Sequence, residues 1–480
     1  MRCNHMGYYD GNEQANTIVG SEEADNMRGH GGNDELHGLG GNDIIEGGTG
    51  RDTITGGYGS DTIRGGDDND LLLGDQGTDY IYGDQGDDQL QGGSGDDRLY
   101  GGTGDDLLFG ESGDDLLNER NTWGTDKLYG GTGDDQLYSS RGENSILVGG
   151  EGNDIIESNG AFNQVDAGED DDTIAITEGA YKNTVWAGSG NDTVVARGSQ
   201  LEIYLGAGND EIVAEGNGAT IWGESGEDFI KTYHSGMYVD GGADNDTIIM
   251  DEKSWESTAH GGAGDDTITA MGRDSGVTGG LGNDTIDISG ENSVALGNEG
   301  DDKITSTGAN AQIDGGADND IIEVSGNDSL ALGGEGHDTI TSSGLNATIG
   351  GGSGNDTIFT YGVNANIDAG EGDDTIAIAS GTATVQGGDG NDSIFHFENG
   401  FAVIKDSGGE LDFVRFQTTT AADLAFVKNG NDLIVSSTAD FEDGMLHTGV
   451  ILEDFYISDD HIDFIVGSDN LQYDLSDFLV

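Results

Sequence analysis

The sequence predicts an all-β fold, a right-handed parallel β-solenoid built from 18-residue coils. Three observations carry the prediction: a strict nine-residue period, its doubling to 18 further along the chain, and the absence of proline from 480 residues. From Gly29 the chain reads GHGGNDELH, GLGGNDIIE, GGTGRDTIT and GGYGSDTIR. The sixth residue of each unit is aspartate: Asp34, Asp43, Asp52, Asp61, Asp70, Asp79, Asp88, Asp97, Asp106 and Asp115. Two places later stands Leu or Ile in almost every unit. A degenerate unit containing Asp25, preceded by the strand-like lead-in NTIVG, opens the run.

An insertion at residues 118–122 interrupts the series, and the aspartate returns at Asp126, Asp135 and Asp154. It then falls at Asp172, Asp192, Asp210, Asp228, Asp246, Asp266, Asp284, Asp302, Asp320, Asp338, Asp356, Asp374 and Asp392. These intervals are 18, apart from two-residue insertions before Asp192 and Asp266. If one coil were nine residues long, dropping alternate motifs would leave isolated sites. With an 18-residue coil of two strands and two turns, one whole edge of motifs survives.

The opposite edge carries its own ladder, Gly272, Gly290, Gly308, Gly326, Gly344 and Gly362. Two residues after each stand Asp274, Asn292, Asn310, Asp328, Asn346 and Asn364. Glycine supplies positive φ and Asx tolerates left-handed turns. This edge is therefore expected to turn tightly and to stack its Asx side chains. Ile286, Ile304, Ile322, Ile340, Ile358, Ile376 and Ile394 predict one buried column. Ile203, Ile221, Val239, Val277, Ala295, Ile313, Ala331, Ile349, Ile367 and Val385 predict the column facing it. One coil cannot bury such residues alone, whereas stacked coils make a continuous thin core. Interior strands pair on both sides, so proline would delete a ladder hydrogen bond.

Composition alone points elsewhere. With 94 acidic against 17 basic side chains, a net charge of −77 and 89 glycines, an unpatterned chain would be disordered. Periodicity argues for order instead, in a state where cations offset the charge. Nucleic acid is not an expected partner, since a polyanion requires a basic face. No apolar stretch approaches the 18 or so residues of a membrane span. Cys3 is the single cysteine, so no internal disulfide is expected. Residues 1–10 have no apolar core, so no N-terminal secretion signal is expected. No HExxH or GxSxG occurs, and the nine histidines are scattered.

The motif itself suggests a metal. Calcium takes six to eight hard oxygens, mixing carboxylates with backbone carbonyls. A glycine-rich turn bares its carbonyls, and two turns stacked about 4.8 Å apart can enclose an ion that one cannot. The expected ligands of one ion are therefore aspartates 18 apart: Asp34 with Asp52, Asp43 with Asp61, Asp284 with Asp302, Asp302 with Asp320. Carbonyls of turn residues such as Gly47, Gly50, Gly92, Gly95, Gly279, Gly282, Gly333 and Gly336 complete them. Counting adjacent pairs gives on the order of twenty calcium ions. Asp170, Asp244 and Asp318 replace the fourth-position glycine, and Glu111, Glu224 and Asn298 the second, which is expected to weaken those sites. The turn at residues 121–126 lacks both opening glycines and is expected to be poor or empty. The acidic residue before the motif aspartate, as at Asp87, Asp96, Asp105, Asp114, Asp265, Asp301 and Asp373, is assigned to solvated surface rather than to the sites. His337, at the variable fifth position, is assigned the role of a bystander. Trp186, Tyr204 and Trp222 recur every 18 residues just after inward positions. They predict an exposed aromatic stripe able to stack on sugar rings.

The GGxGxDxUx units over about residues 16–397 resemble the calcium-binding nonapeptide repeats of RTX (haemolysin-type) proteins. The resemblance implies a β-roll that folds on calcium outside the cell. From about Glu398, FAVIKDSGGELDFVRF, ADLAFVKNGNDLIVSS and GVILEDFYISDDHIDFIV resemble the module that caps such arrays. Asp477-Phe478-Leu479-Val480 resembles the C-terminal signal of type I secretion substrates, which implies an ABC exporter as a partner.

The organisation expected is a lead-in over residues 1–24, a β-roll with calcium turns on both edges over 25–135, one with calcium turns on a single edge over 136–397, and a cap with secretion signal over 398–480. The expected function is that of a secreted, calcium-dependent structural, cell-surface or adhesive protein, not an enzyme. Two alternatives stay open. One is the export and folding module of an RTX enzyme or toxin, against which stands the shortness of the segment before the array. The other is a surface that binds polysaccharide.

Overall fold

The computed structural model describes residues 6–120, 122–397, 399–405, 408, 412–442, 448–457 and 462–479. The chain divides into two compact units, Met1–Gly242 and Ala243–Val480. Each is a parallel β-solenoid of 18-residue coils.

In the first unit successive strands alternate between two parallel sheets. Glu35–Gly40 pairs with Thr53–Tyr58, setting Leu36 opposite Ile54, while Ile44–Thr49 pairs with Thr62–Asp67, setting Ile45 opposite Ile63. Each partner lies 18 residues on, so one coil is two nonapeptides. The eighth-position residues, Leu36, Ile45, Ile54, Ile63 and their successors to Leu137, are fully buried between the sheets. Neighbouring residues face outward because side chains alternate along a strand. Where the motif drops to alternate nonapeptides, strand lengths alternate too. Thr173–Ile176 after the motif has 4 residues, and Gln164–Glu169, running into one, has 6.

The second unit repeats this plan. Gly276–Leu281 pairs with Val294–Glu299, and Thr285–Ile288 with Lys303–Ser306. Both predicted columns are buried, from Ile286 to Ile394 and from Val277 to Val385. Parallel pairing continues beyond residue 397. Gly400–Ile404 and Phe413–Phe416 add to the two sheets, then Gly449–Leu452 and Phe464–Val466. Antiparallel strands follow: Leu424–Asn429 with Asp432–Ser437, the latter with Gly449–Leu452, and Gln472–Asp474 with Phe464–Val466. Glu398, residues 409–411 of the GGELD stretch and Val480 lie outside the described residues.

The motif-free edge differs from expectation in one respect. The left-handed residues are Asp274 (φ 56°), Asn292 (60°), Asn310 (56°), Asp328 (57°), Asn346 (56°) and Asn364 (61°), not the glycines before them. Those glycines serve close approach: a Cβ on Gly290 would collide with the Gly272 carbonyl oxygen, and one on Gly308 with that of Gly290. The Asx side chains do stack. Asn292 Nδ2 donates to Asp274 Oδ1 (3.0 Å), Asn310 to Asn292 (3.1 Å), and Asn364 to Asn346 (3.1 Å).

Candidate metal centre

Each GGxGxD turn reverses the chain through left-handed residues at its second and fourth positions, as at Gly48 (φ 122°) and Gly50 (φ 110°). Where the sequence departs from glycine the backbone keeps this shape. Glu111 (78°), Glu224 (74°) and Asn298 (84°) hold the second position, and Asp170 (80°), Asp244 (77°) and Asp318 (76°) the fourth. The departures therefore add local strain and leave the turn geometry in place.

This turn buries its aspartate. All the aspartates proposed as ligands are 4% exposed or less. They stack in columns, each backbone N–H donating to the Oδ1 of the aspartate one coil on. In the first unit Asp34 donates to Asp52 (2.8 Å), and the chain of bonds continues through Asp70, Asp88 and Asp106 to Asp126. A second column there runs from Asp25 through Asp43, Asp61, Asp79, Asp97, Asp115, Asp135, Asp154, Asp172, Asp192 and Asp210 to Asp228. In the second unit the column runs from Asp246 through Asp266, Asp284, Asp302, Asp320, Asp338, Asp356 and Asp374 to Asp392. It continues to Asp412, 20 residues on and outside the strict period, whose own N–H donates to Asp463 Oδ2 (3.1 Å). The expected pairs, 34/52, 43/61, 284/302 and 302/320, are thus direct neighbours.

The second carboxylate oxygen is different. From Asp34 to Asp210, and from Asp266 to Asp374, Oδ2 is buried with no hydrogen-bond donor. In turns that open on glycine, such as those of Asp52 and Asp266, it points at that glycine, where it meets the carbonyl of the next coil's opening residue. Ala167, Ala187, Leu205 and Ala369 hold the opening place for Asp172, Asp192, Asp210 and Asp374. A Cβ placed on Gly47 would collide with Asp52 Oδ2 and lie 2.8 Å from the Gly65 carbonyl oxygen. The carbonyl oxygen of Gly47 stands in this way with Asp34 at Gly29. That of Gly92 stands with Asp79 at Gly74, that of Gly279 with Asp266 at Gly261, and that of Gly333 with Asp320 at Gly315. The fourth-position residues Gly50, Gly95, Gly282 and Gly336 are all left-handed. Carbonyls of Gly95, Gly282 and Gly336 press against Gly113, Gly300 and Gly354 of the following coil.

The electrostatics follow from this burial. Loss of solvent raises the carboxyl pKa, the neighbour's backbone N–H lowers it, and adjacent aspartates raise it again. The result is about 8 at Asp70, Asp97, Asp135, Asp172 and Asp320. Asp106, Asp154, Asp284 and Asp374 reach about 7. Asp43, Asp52, Asp61, Asp79, Asp88, Asp115, Asp192, Asp302 and Asp356 reach about 6. Buried carboxylate oxygens without donors, set against backbone carbonyls, are an oxygen-only anionic donor set. It fits calcium.

The other edge shows why motifs vanish there. Asp126 N–H donates to Ser145 Oγ (3.1 Å), Ser145 to Asn163 Oδ1 (2.9 Å), and Asn163 to Asn183 Oδ1 (3.1 Å). Ser257, Ser275, Ser293, Ala311, Ser329, Ala347 and Ala365 hold the matching buried positions of the second unit. Small neutral side chains there bring no charge to be balanced.

The fifth turn position is an acceptor ladder that sequence reasoning missed. Asp105 N–H donates to Asp87 Oδ1 (3.0 Å), Asp114 to Asp96 (3.1 Å), Asn283 to Asp265 (2.8 Å), and Asn319 to Asp301 (2.8 Å). His337 joins it, its Nδ1 accepting from Asn355 N–H at 2.7 Å. The recurring Asn and Asp at this position were the available signal. Trp186, Tyr204 and Trp222, expected as an exposed stripe, stack on one another with ring centroids 6.1 and 4.4 Å apart; Trp186 is exposed, while Tyr204 and Trp222 are half-buried. Tyr238 adjoins Trp222 at a tilt.

Fold and centre together define a parallel β-solenoid whose stacked turns form buried, oxygen-lined cells for a hard cation. The chain belongs to the RTX calcium-binding nonapeptide repeat family. The family model matches residues 10–45, 46–81, 82–117, 121–150, 148–175, 179–199, 260–295, 296–331 and 378–395, more than half of the chain. No curated protein matches it.

Proposed function

We propose that this chain is a secreted structural protein of the cell surface or extracellular matrix, adhesive in role, which folds when calcium fills its columns. The carrying observation is the run of buried Oδ2 atoms without donors. An ionised carboxylate buried without a partner costs several kcal/mol. Repeated along a column, that cost exceeds the 5–15 kcal/mol or so by which domains are stable. Bound calcium supplies the missing positive charge. Because each cell lies between two coils, its ligands converge only when the coils stack, which links binding to folding.

The same linkage supports export in an unfolded state. At low calcium, repulsion among 94 acidic side chains keeps the chain extended and fit to pass a type I ABC exporter. Extracellular modules of weak affinity, with Kd about 10⁻⁴–10⁻³ M, fill at millimolar calcium. Equilibrium dialysis against calcium tests the reading: it expects on the order of twenty ions bound per folded chain. A count of two or three would overturn it.

A further inference from the structure

The insertion at residues 118–122 is where the sequence predicts the poorest turn, and there the structure places a buried carboxylate. In the other cells of this edge the opening glycine faces the next coil's glycine carbonyl, as Gly65 faces that of Gly83 at 3.0 Å from its Cβ position. Gly101 instead faces Glu119 Oε1 at 2.5 Å and Asp106 Oδ2 at 2.6 Å from its Cβ position. Glu119 occupies the opening-glycine place of its own turn, so a side-chain carboxylate stands where a backbone carbonyl stands elsewhere. It is fully buried. The N–H groups of Gly101 and Gly102 donate to its two oxygens, and Thr122 Oγ1 donates to its carbonyl.

One oxygen each from Asp106, Glu119 and Asp126 lies within 4.8 Å of the other two. Oδ2 of Asp106 and Oδ2 of Asp126 are buried without a donor. Asp126 is also the last aspartate of its column, because Ser145 follows it. Glu119 therefore adds negative charge where the column would otherwise lose it.

We propose that Asp106, Glu119 and Asp126 form a tricarboxylate cation site, the tightest calcium site on this edge and the chain's preferred site for a trivalent lanthanide. It rests on the calcium reading of the columns and departs from their repeating pattern. Ligand charge count sets calcium affinity across decades, and three carboxylates neutralise a trivalent ion where two leave it in excess.

Terbium luminescence of the full chain tests this. Trp123 stands three residues before Asp126 and is the tryptophan nearest to it along the chain, so a terbium ion at this site is expected to draw its emission from that ring. The expected result is emission from the first equivalent of terbium that Trp123→Phe removes. Glu119→Gln should raise the terbium concentration for half of that emission by about tenfold or more, while Glu119→Asp, which keeps the charge, stays closer to wild type. Emission at the first equivalent that ignores Trp123, or a Glu119→Gln titration that superimposes on wild type, would overturn the site. Should Glu119→Gln fail to fold, the Trp123→Phe comparison decides alone. A wild-type chain that neither binds cations nor folds with calcium refutes the underlying reading instead. A wild-type chain that folds with calcium while Glu119→Gln changes nothing refutes this site only.

Discussion

At the scale of the residue, each motif aspartate uses its two oxygens differently: Oδ1 ties coil to coil, and Oδ2, buried without a donor, is the oxygen the proposed function gives to calcium. This gives Asp284→Asn an effect whose sign depends on calcium. In saturating calcium the loss of one ligand should lower the thermal midpoint by several degrees. In EGTA the same change removes an unbalanced buried charge and should leave residual structure equal or greater; a midpoint lowered equally in both would contradict the division of roles. Gly47→Ala should cost about 1–3 kcal/mol in calcium, since its methyl meets Asp52 Oδ2 and the Gly65 carbonyl. Calcium titration followed by circular dichroism checks it. Protons compete with calcium for the same carboxylates, and either one favours the folded chain. Folded-state pKa values of about 6 to 8, against 3.8 ordinarily, mean the folded metal-free chain binds more protons than the unfolded one. Stability without calcium is thus full below about pH 4 and is lost as pH rises through 6 to 8. Metal-free protein should gain strand signal on acidification from pH 8 to 5, while the calcium midpoint climbs as protons compete. The aspartates were legible in the sequence because a strict period marks them. The split between Oδ1 and Oδ2 was not, since it depends on the register of the coil above.

At the scale of the element, two turn types close one coil. The 18-residue repeat was legible because dropping alternate motifs left an unbroken series, and the pairing of Ile286 with Ile304 bears it out. The turn chemistry of the motif-free edge was half legible. Composition named both Gly and Asx, but only the backbone shows that Asn310 takes the left-handed turn (φ 56°) while Gly308 yields to the Gly290 carbonyl. Asn310→Gly should therefore be nearly neutral, and Asn310→Val should cost about 1–2 kcal/mol. Denaturant midpoints in calcium compare them, and equal costs would remove the argument. The insertion at 118–122 was misleading in sequence because counting back from Asp126 skips Glu119. Counting forward from Leu117 places Glu119 in the opening position.

At the scale of the whole molecule, the proposed function makes a chain with a net charge of −77 two different objects, one without calcium and one with it. Without calcium, like-charge repulsion and the burial cost of ionised carboxylates oppose stacking. With it, the same carboxylates become ligands and the thin isoleucine core can form. The absence of proline is then a requirement of uninterrupted parallel ladders. The most direct test is far-ultraviolet circular dichroism of the full chain at neutral pH, in EGTA and then in millimolar calcium. The account predicts a disordered spectrum that converts cooperatively to strand as calcium rises. A strand spectrum already complete in EGTA, and unmoved by calcium, would contradict it.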